Sequence, residues 1–510
     1  MRRRNSVLAA TAVVTALVAT SAVTAATASV ASANDDRGRA RNVIYLLGDG
    51  MGRTHVTAAR ERYYGAAGKL AMEGLPAQGH VSTYSVEKLS GQPGEADFTP
   101  NAVTDSASAA TTWASGVKTY NAALGVDAKG AVVPTLMEMA KKSGYRTGTV
   151  STAEITDATP AGQMSHALAR GCQGPVYSDA SCQDLAITGS ALPTTDFRVT
   201  PIADQIARNG TADVIFGGGL GRFDAADETA LKDQGYSVLG SIADQTTATK
   251  TDLAAAAGQK VFGLFNKGNL TIEKAKTENP GSPQAQEPTL PEMTTKAIEL
   301  LNQKKAKGQK SDKSEKSEKG GKGFYLQIEG ALIDKRSHAN DAAQTLGEMK
   351  AFDDAVRIAQ DFAERDGNTL VIVTADHECA GFNIIEKGTF TNAEGATPPA
   401  NTDSGNTANN STPSRPSNSR DPSRSTGIIN GSGSADPKNF GPATFRTPTD
   451  PAGVVDGSPE AGLWLSYLSG NHTGADVPVY ATGPGATQLE GTIDNTALFG
   501  IVGRALGVTR

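Results

Sequence analysis

Hydrophobic residues occur in short runs along the chain, with polar or small residues directly after them. Three runs are almost entirely aliphatic or aromatic: Val43 to Leu47, Phe324 to Ile328 and Leu370 to Val373. Shorter runs cover Gly148 to Ser151 and Val214 to Gly217. Apolar runs of this length, followed closely by Gly, Glu or Thr, predict strands that are buried on both faces.

Between these runs, apolar positions follow a helical period. From Leu346 to Phe362 they recur at intervals of three or four residues, which predicts an amphipathic helix. Strands that alternate with helices predict an α/β fold with a largely parallel central sheet and helices on both faces. In such sheets, ligands bind beyond the carboxyl ends of the strands.

Polar residues with metal-binding or supporting chemistry stand at or just past these predicted strand ends. They are Asp49, Asp157, Thr159, Glu329, Asp376 and His377. Any one of them alone is explained by a turn or a helix cap. Because the ends of parallel strands meet at one edge of the sheet, the whole set predicts a shared site.

A second pattern lies in EGALIDKRSHAND. Asp334 and His338 are four positions apart, and on a helix that spacing brings both side chains to one face, as chelation requires. The alternative is a carboxylate–imidazole pair on a solvated face, and Glu329 just upstream favours the metal. His472 lies in a glycine-flanked loop, SGNHTGADVPVY, and spacing alone does not place it in the site. The remaining histidines, His55, His80 and His166, are interpreted as structural.

The residue types indicate which metals would bind. Imidazole with carboxylate suits Zn²⁺, whereas carboxylate, hydroxyl and water oxygens suit Mg²⁺. The candidates divide accordingly into nitrogen-containing sets and an all-oxygen set. A pair of zinc ions would stabilise both the attacking and the leaving oxygen of an in-line displacement.

Ser106 lies in VTDSASAATTW, where small residues allow a helix to begin. A helix N-terminus offers backbone N–H groups to an anion, and a bound metal turns a serine hydroxyl into a nucleophile. The alternative is that Ser106 is an ordinary N-cap. Arg170 is the candidate that binds phosphate oxygens, because a guanidinium binds phosphate bidentately; the alternative is a surface arginine.

The N-terminus indicates export. Arg2 to Arg4 precede an apolar run that ends at Ala31-Ser32-Ala33, a pattern typical of a signal peptide cleaved near Ala33, so we expect a secreted protein. A membrane helix is the alternative, but Thr and Ser interrupt the run. Removing residues 1–33 takes away three Arg and no acid, which changes the formal charge from −6 to −9. This mild acidity argues against nucleic acid as the main partner, and no later run is long enough to span a membrane.

Cysteine spacing and composition complete the organisation. Cys172 and Cys182 are ten positions apart and predict a disulfide, with two free buried thiols as the alternative. Cys379 is left over and is predicted to be buried. Segments 304–323 and 394–427 have the composition of solvated loops. The chain from 34 to 510 is therefore interpreted as one catalytic domain with two low-complexity insertions.

These residues lie in motifs that resemble those of bacterial alkaline phosphatases, from about Arg41 to the C-terminus. In family order they are GDGMG, TDSASAAT, STAEITDATPA, EGALIDKRSHAND, TADHE and NHTG. The resemblance implies a phosphomonoesterase of broad specificity that works through a phosphoserine. It also implies two Zn²⁺ and one Mg²⁺ per chain.

The resemblance implies a role for each matched position. Ser106 is the implied nucleophile, Arg170 the phosphate-binding group, and Lys335 a side chain that reaches phosphate through water. The implied ligands of the zinc that stabilises the leaving oxygen and activates water are Asp334, His338 and His472. Those of the zinc that activates Ser106 are Asp49, Asp376 and His377. Those of Mg²⁺ are Asp49, Thr159 and Glu329, with Asp157 holding magnesium-bound water.

The chain also departs from the family pattern. Cys379, just after the implied ligand pair, is unusual, and a thiol there is expected to undergo oxidation or to compete for metal. Some members have histidines at the positions of Asp157 and Lys335. Relatives are often homodimers, and the altered peripheral segments here leave the oligomeric state open.

Two other functions compete with the phosphomonoesterase. A phosphodiesterase on the same scaffold is one, and a noncatalytic zinc or phosphate binder, which needs no nucleophile, is another. A sulfatase needs a modifiable Cys or Ser in a C/S-x-P-x-R context. Ser108 and Ala110 stand where that motif has Pro and Arg, which argues against a sulfatase.

Overall fold

The computed structural model describes residues 38–303, 322–388 and 443–509. The predicted signal peptide, the predicted loop over 394–427 and most of the one over 304–323 lie outside these ranges. Among the described helices, none combines the length and the apolar character that a membrane crossing needs.

One large sheet and three small ones make up the β-structure of the described residues. The strands are β1 (Asn42–Gly48), β2 (Ala77–Ser82), β3 (Ser85–Val86), β4 (Pro100–Asn101), β5 (Arg146–Glu154), β6 (Val214–Gly218), β7 (Ser237–Leu239), β8 (Val261–Leu264), β9 (Phe324–Gly330), β10 (Thr369–Thr374), β11 (Glu378–Cys379), β12 (Asn383–Ile384), β13 (Ala443–Phe445), β14 (Leu463–Ser466), β15 (His472–Thr473), β16 (Val477–Thr482) and β17 (Gly491–Asp494). Ten of them form one sheet in the order β17-β2-β16-β10-β1-β9-β5-β6-β8-β7. Within that sheet β16 is antiparallel to both of its neighbours, and every other pairing is parallel. The predicted α/β fold with a largely parallel sheet is therefore confirmed.

Helices pack against both faces of this sheet. The α-helices in the described ranges are α1 (Arg53–Tyr64), α2 (Ser106–Ser115), α3 (Leu136–Lys142), α4 (Ala158–Ala161), α5 (Asp179–Cys182), α6 (Leu185–Thr188), α7 (Ile202–Asn209), α8 (Ala225–Asp233), α9 (Lys250–Ala255), α10 (Glu273–Glu278), α11 (Leu290–Leu301), α12 (Leu332–His338), α13 (Ala342–Asp366) and α14 (Thr496–Leu506). One group consists of α1, α11, α12 and α13, and a second group joins α2, α3 and α14.

The central strands form because most of their residues are apolar. All seven residues of β1 and all seven of β9 are buried, as are all six of β10. A strand covered by helices on both faces needs no polar side, so its sequence reads as a continuous apolar run. The five predicted strands correspond to β1, β5, β6, β9 and β10.

The longest described helix, α13, contains the predicted amphipathic stretch. It begins after Asp341, whose carboxylate accepts a hydrogen bond from the backbone N–H of Gln344 at 3.1 Å. It ends at Gly367, where φ is +73° and a residue without Cβ is favoured. The helix packs against β1, β9 and β10 and also against α12, so it supports the strand ends that carry the candidate site.

The cysteines behave as their spacing predicts. Cys172 and Cys182 form a disulfide with a Cα–Cα distance of 4.5 Å. Cys379 is free and buried. The disulfide closes the segment that follows Arg170, which is the candidate group for binding phosphate.

Candidate metal centre and active site

Three neighbouring strands bring the first candidate residues to one edge of the sheet. Leu47 on β1 is paired with Glu329 on β9 and with Thr374 on β10. Asp49 follows β1 directly, and Asp376 follows β10, so both carboxylates lie just beyond the same edge. The gathering of polar residues at the carboxyl ends of parallel strands is the arrangement expected of an α/β site.

The first cluster consists of Asp334, His338 and His472. Asp334 and His338 lie on α12, four positions apart, and the distance from Asp334 Oδ2 to His338 Nε2 is 3.2 Å. His472 comes from β15, with its Nε2 3.6 Å from Asp334 Oδ1 and 3.0 Å from His338 Nε2. The structure therefore places His472 beside the helical pair, which the spacing of the sequence did not do.

Backbone carbonyls orient both imidazoles of the first cluster. His338 Nδ1 lies 2.7 Å from the carbonyl oxygen of Gly470, and His472 Nδ1 lies 3.1 Å from that of Thr104. Since a carbonyl only accepts, each Nδ1 must carry the proton. In the neutral rings both Nε2 lone pairs then point at each other across 3.0 Å. A proton on one Nε2 or a bound cation relieves this, and Asp334 Oδ2 lies 3.2 Å from His338 Nε2. An Nδ1–H donated to a carbonyl is also how a histidine is oriented toward a metal.

The second cluster consists of Asp49, Asp376 and His377, with Ser106 against it. His377 Nε2 is 3.1 Å from Asp376 Oδ2, 3.6 Å from Asp49 Oδ1 and 3.2 Å from Ser106 Oγ. The rings of His377 and His472 stack with centroids 3.5 Å apart. The two clusters are therefore contiguous, as a site for a pair of metal ions requires.

The electrostatics of the clusters favour bound cations. Burial, followed by the charges of Asp376 and Asp334, raises the pKa of Asp49 well above its ordinary value. Among the described residues, Asp49 Oδ1 and Asp334 Oδ1 are buried and accept no hydrogen bond. Buried anionic oxygens without donors are costly, and metal coordination is one of the ways in which proteins satisfy them. The donor set of oxygens and imidazole nitrogens fits Zn²⁺.

The magnesium candidates lie beside these clusters. Glu329 is buried on β9 and accepts a short hydrogen bond from the hydroxyl of Ser151 on β5. Burial raises the pKa of Glu329 to about 8, while the hydroxyls of Ser151 and Thr159 oppose that rise. Thr159 itself is buried in α4. Carboxylate and hydroxyl oxygens at this position fit a hard cation such as Mg²⁺.

Ser106 is the first residue of α2. Asp105 is the N-cap residue, and its Oδ1 accepts a hydrogen bond of 2.9 Å from the backbone N–H of Ser108. All ten residues of α2 are buried, and small side chains allow this. The helix begins at Ser106, as predicted. Its N-cap is Asp105 and not Ser106, so the hydroxyl of Ser106 does not cap the helix and faces the second cluster.

Two aspartates hold Arg170 in place. Its Nη1 is 3.1 Å from Asp105 Oδ2, and its Nη2 is 2.7 Å from Asp157 Oδ1. Asp157 Oδ2 also accepts a hydrogen bond from Lys335 Nζ at 2.7 Å. Burial alone would raise the pKa of Asp157, but the charges of Lys335 and Arg170 outweigh it and lower that pKa below its usual range. Asp157 therefore links Arg170 to Lys335, and Asp105 links Arg170 to the start of α2, where Ser106 lies.

Two features of the site were not predicted from the sequence: the role of Asp105, and the place of Cys379 inside a group of candidate metal ligands. Asp105 caps α2 with one oxygen and binds Arg170 with the other; its position directly before the helix was the available signal. Cys379 lies within the first cluster. One ligand atom from its side chain and one from each of Asp334, His338 and His472 all lie within 4.8 Å of one another. Of the histidines interpreted as structural, His55 is hydrogen bonded to Ser337 and His166 to Glu138.

Comparisons with known proteins agree with this geometry. The family model described as alkaline phosphatase matches residues 40–508. An alkaline phosphatase of Escherichia fergusonii is 39% identical over 374 residues, covering 68% of this chain and 71% of its own length. Streptomycin-6-phosphate phosphatase of Streptomyces griseus is 34% identical over 500 residues and covers 94% of both. The crystal structure of Thermus thermophilus alkaline phosphatase, 21% identical, matches the fold with a TM-score of 0.61 over 92% of both chains.

Proposed function

The chain belongs to the alkaline phosphatase family of metal-dependent phosphomonoesterases, and from this premise we propose that Ser106 is its nucleophile and that a phosphoserine is its intermediate. The observation that carries the proposal is the 3.2 Å distance between Ser106 Oγ and His377 Nε2, at the point where the two clusters meet. The hydroxyl is buried at the start of a helix, so it is aimed at the centre rather than at solvent.

The proposed binding mode assigns the phosphate to the cationic side of Ser106. Arg170 donates to two nonbridging oxygens, because aspartates already fix its guanidinium. Lys335, held by Asp157 at 2.7 Å, adds positive charge at a longer reach. Ser106 Oγ then attacks phosphorus in line, its bond to phosphorus forms, and the bond to the ester oxygen breaks. Water attack on the phosphoserine releases phosphate and restores the hydroxyl.

The metal ions are assigned to the residues that fit them. We propose Asp334, His338 and His472 for one Zn²⁺, Asp49, Asp376 and His377 for a second, and Asp49, Thr159 and Glu329 for Mg²⁺ near Asp157. When bound, such ions supply Lewis-acid chemistry that polarises phosphoryl oxygens and lowers the pKa of hydroxyl groups. The number of ions per chain is part of the proposal.

The first test is hydrolysis of a chromogenic aryl phosphate by the protein without residues 1–33. We expect activity that chelation removes and that Zn²⁺ with Mg²⁺ restores. Ser106→Ala should lose almost all turnover and form no phosphoenzyme with ³²P-labelled ester in a single-turnover quench, while still binding zinc. Ser108→Ala, two positions along the same helix, is the matched control and should remain labelled. Labelling of the Ser106→Ala protein would contradict the assignment of the nucleophile.

The proposed substrates are phosphate monoesters of broad structure, because the assigned groups contact only phosphate. The Streptomyces griseus relative is named for a streptomycin phosphate, which offers a sharp comparison. We expect kcat/KM for an aryl phosphate and for streptomycin 6-phosphate to agree within about tenfold. A preference of several hundredfold for the latter would replace broad specificity with an aminoglycoside phosphatase.

Export and domain organisation complete the proposal. The disulfide between Cys172 and Cys182 is consistent with an oxidising compartment. We propose cleavage near Ala33 and a single catalytic domain over residues 34–510. N-terminal sequencing of protein collected outside the cells, beginning near Asn34, would support both export and the cleavage position.

A further inference from the structure

Cys379 has no part in the mechanism proposed above, although it lies within the metal centre. One ligand atom each from Asp334, His338, His472 and Cys379 lies within 4.8 Å of the others. The sulfur is buried, 3.8 Å from the backbone carbonyl oxygen of Asp334. A thiol is a far softer ligand than the carboxylates and imidazoles that the family pattern implies here.

The backbone holds the thiol in this place. On the two-stranded sheet of β11 and β15, Cys379 is paired directly with His472. The Cys379 N–H also donates to the carbonyl of Gly50 at 3.0 Å. A Cβ at Gly50 would lie 2.8 Å from both Cys379 Cβ and Asp334 Oδ1. A glycine here therefore lets the chain pack against both ligand groups at once.

Two further observations point to a ligand at this position. Asp334 Oδ1 is buried and accepts no hydrogen bond from the described residues. The Nε2 atoms of His338 and His472 face each other at 3.0 Å, with both Nδ1 atoms committed to carbonyls. Two nitrogens, one oxygen and one sulfur converge on one space, and all three atom types are ligands that zinc accepts in proteins.

We propose that Cys379 is a fourth protein ligand of the metal held by Asp334, His338 and His472. The inference rests on the proposed function for the presence of that metal. When the metal–sulfur bond forms, the thiol proton leaves to solvent, so binding releases one more proton than in a protein without the thiol. The centre then favours soft cations, and a zinc with four protein ligands can still accept a phosphate oxygen or water as a fifth.

Cobalt provides a direct test because a thiolate–Co²⁺ bond gives a charge-transfer band in the near ultraviolet. The metal-free mature protein is titrated with Co²⁺, and metal content is measured alongside the spectrum. The chain has three cysteines, and two of them form the disulfide, so a thiolate band reports Cys379. We expect the band in the wild type and its loss in Cys379→Ser and Cys379→Ala at equal cobalt occupancy.

A matched control separates ligation from disturbance of β11 and β15. Thr473→Val removes a hydroxyl that donates to Glu378 in the same pair of strands, and we expect it to keep the band. Affinities give a second measurement: Cys379→Ser should weaken Cd²⁺ binding about 10- to 100-fold while changing Mn²⁺ binding less than threefold, since Mn²⁺ gains little from sulfur.

The outcomes also distinguish this inference from the proposed function. Full cobalt occupancy with identical spectra in wild type and Cys379→Ala would overturn the thiolate ligand and leave the phosphatase centre standing. Failure to bind cobalt or zinc at all would overturn both. Formation of the phosphoserine depends on Ser106 and is scored independently by labelling.

Discussion

Arg170 is oriented by the protein before any phosphate binds. Its two terminal nitrogens are engaged by Asp105 and Asp157, at 3.1 and 2.7 Å. A guanidinium held in this way loses little rotational freedom when an anion arrives, so binding free energy is not lost to ordering the side chain. The rigid planar fork, and not charge alone, is therefore the property that matters at this residue.

Arg170→Lys tests whether the planar guanidinium, with its two terminal nitrogens, is needed beyond its charge. Lysine keeps the charge but cannot bind both aspartates and also the two phosphate oxygens that the proposed binding mode assigns to Arg170. At least one charge-assisted hydrogen bond is then lost, worth about 1.5–3 kcal/mol. We expect inorganic phosphate to inhibit the variant about 10- to 100-fold more weakly, measured as Ki. Arg198→Lys, at an arginine paired with Asp196 away from the site, should leave Ki unchanged. An unaltered Ki in Arg170→Lys would remove Arg170 from the phosphate site.

The helix α13 supports the site because it is tied to the rest of the fold by a buried carboxylate. Asp353 on this helix accepts hydrogen bonds from the backbone N–H groups of Ala71 at 2.9 Å and Met72 at 3.1 Å. Asp353 is fully buried, so neither N–H group has water as an alternative partner. The contact fixes the segment before β2 against the helix.

Asp353→Ala should therefore be costly. Two buried N–H groups lose their acceptor, and we expect the free energy of unfolding to fall by about 2–4 kcal/mol. Denaturant unfolding of the metal-saturated protein measures this. Glu364→Ala changes an exposed acid on the same helix and should cost less than about 0.5 kcal/mol. Similar losses in the two variants would contradict a special role of the two buried hydrogen bonds, because alanine is itself the most favourable helix residue.

Elements differ in how well the sequence predicts them. β1, β9 and β10 were predictable because strands buried on both faces are mostly apolar. β2 was not, because AQGHVS alternates irregularly between buried and exposed positions. Its strand conformation depends on pairing with β16 and β17, and no local pattern encodes such distant partners.

At the scale of the whole molecule, buried acids outside the site link stability to pH. Burial first, and then the charge of Glu273, raises the pKa of Glu348 from its ordinary 4.5 to about 8. Glu348 Oε1 meanwhile accepts a hydrogen bond of 2.8 Å from the backbone N–H of Glu273. Between pH 4.5 and 8 the folded protein binds more protons at this group than the unfolded chain does. The contribution of Glu348 to the free energy of unfolding is therefore present below pH 4.5, and it is lost as the pH rises from there to about 8.

Glu348→Gln removes this titration while keeping an oxygen that accepts the same hydrogen bond. We expect the wild type to lose stability relative to the variant as the pH rises from about 5 to 8, by a few kcal/mol at about 1.4 kcal/mol per pKa unit. Urea unfolding at several pH values with metals saturated measures it. Glu364→Gln, on the exposed side of α13, should show the same dependence of unfolding free energy on pH as the wild type. A pH-independent difference for Glu348→Gln would contradict the raised pKa.

The candidate site was predictable only in part, because one of its residues is placed by a strand pairing between distant parts of the chain. Asp49 and Asp376 follow apolar runs, and Asp334 and His338 share a helical spacing, so local patterns place them. His472 reaches the centre through its pairing with Cys379, 93 positions earlier by residue number. Without the family motif NHTG, nothing near His472 indicates where it lies in the fold.

The orientation of His472 has a consequence for how the protein is made. The carbonyl that orients its ring belongs to Thr104, 368 positions earlier in the chain. A ribosome therefore releases the segment with Ser106 long before the residue that completes the first cluster has been translated. We expect truncated chains that end before β15 to contain Ser106, the proposed nucleophile, without a complete first cluster, and therefore to be inactive.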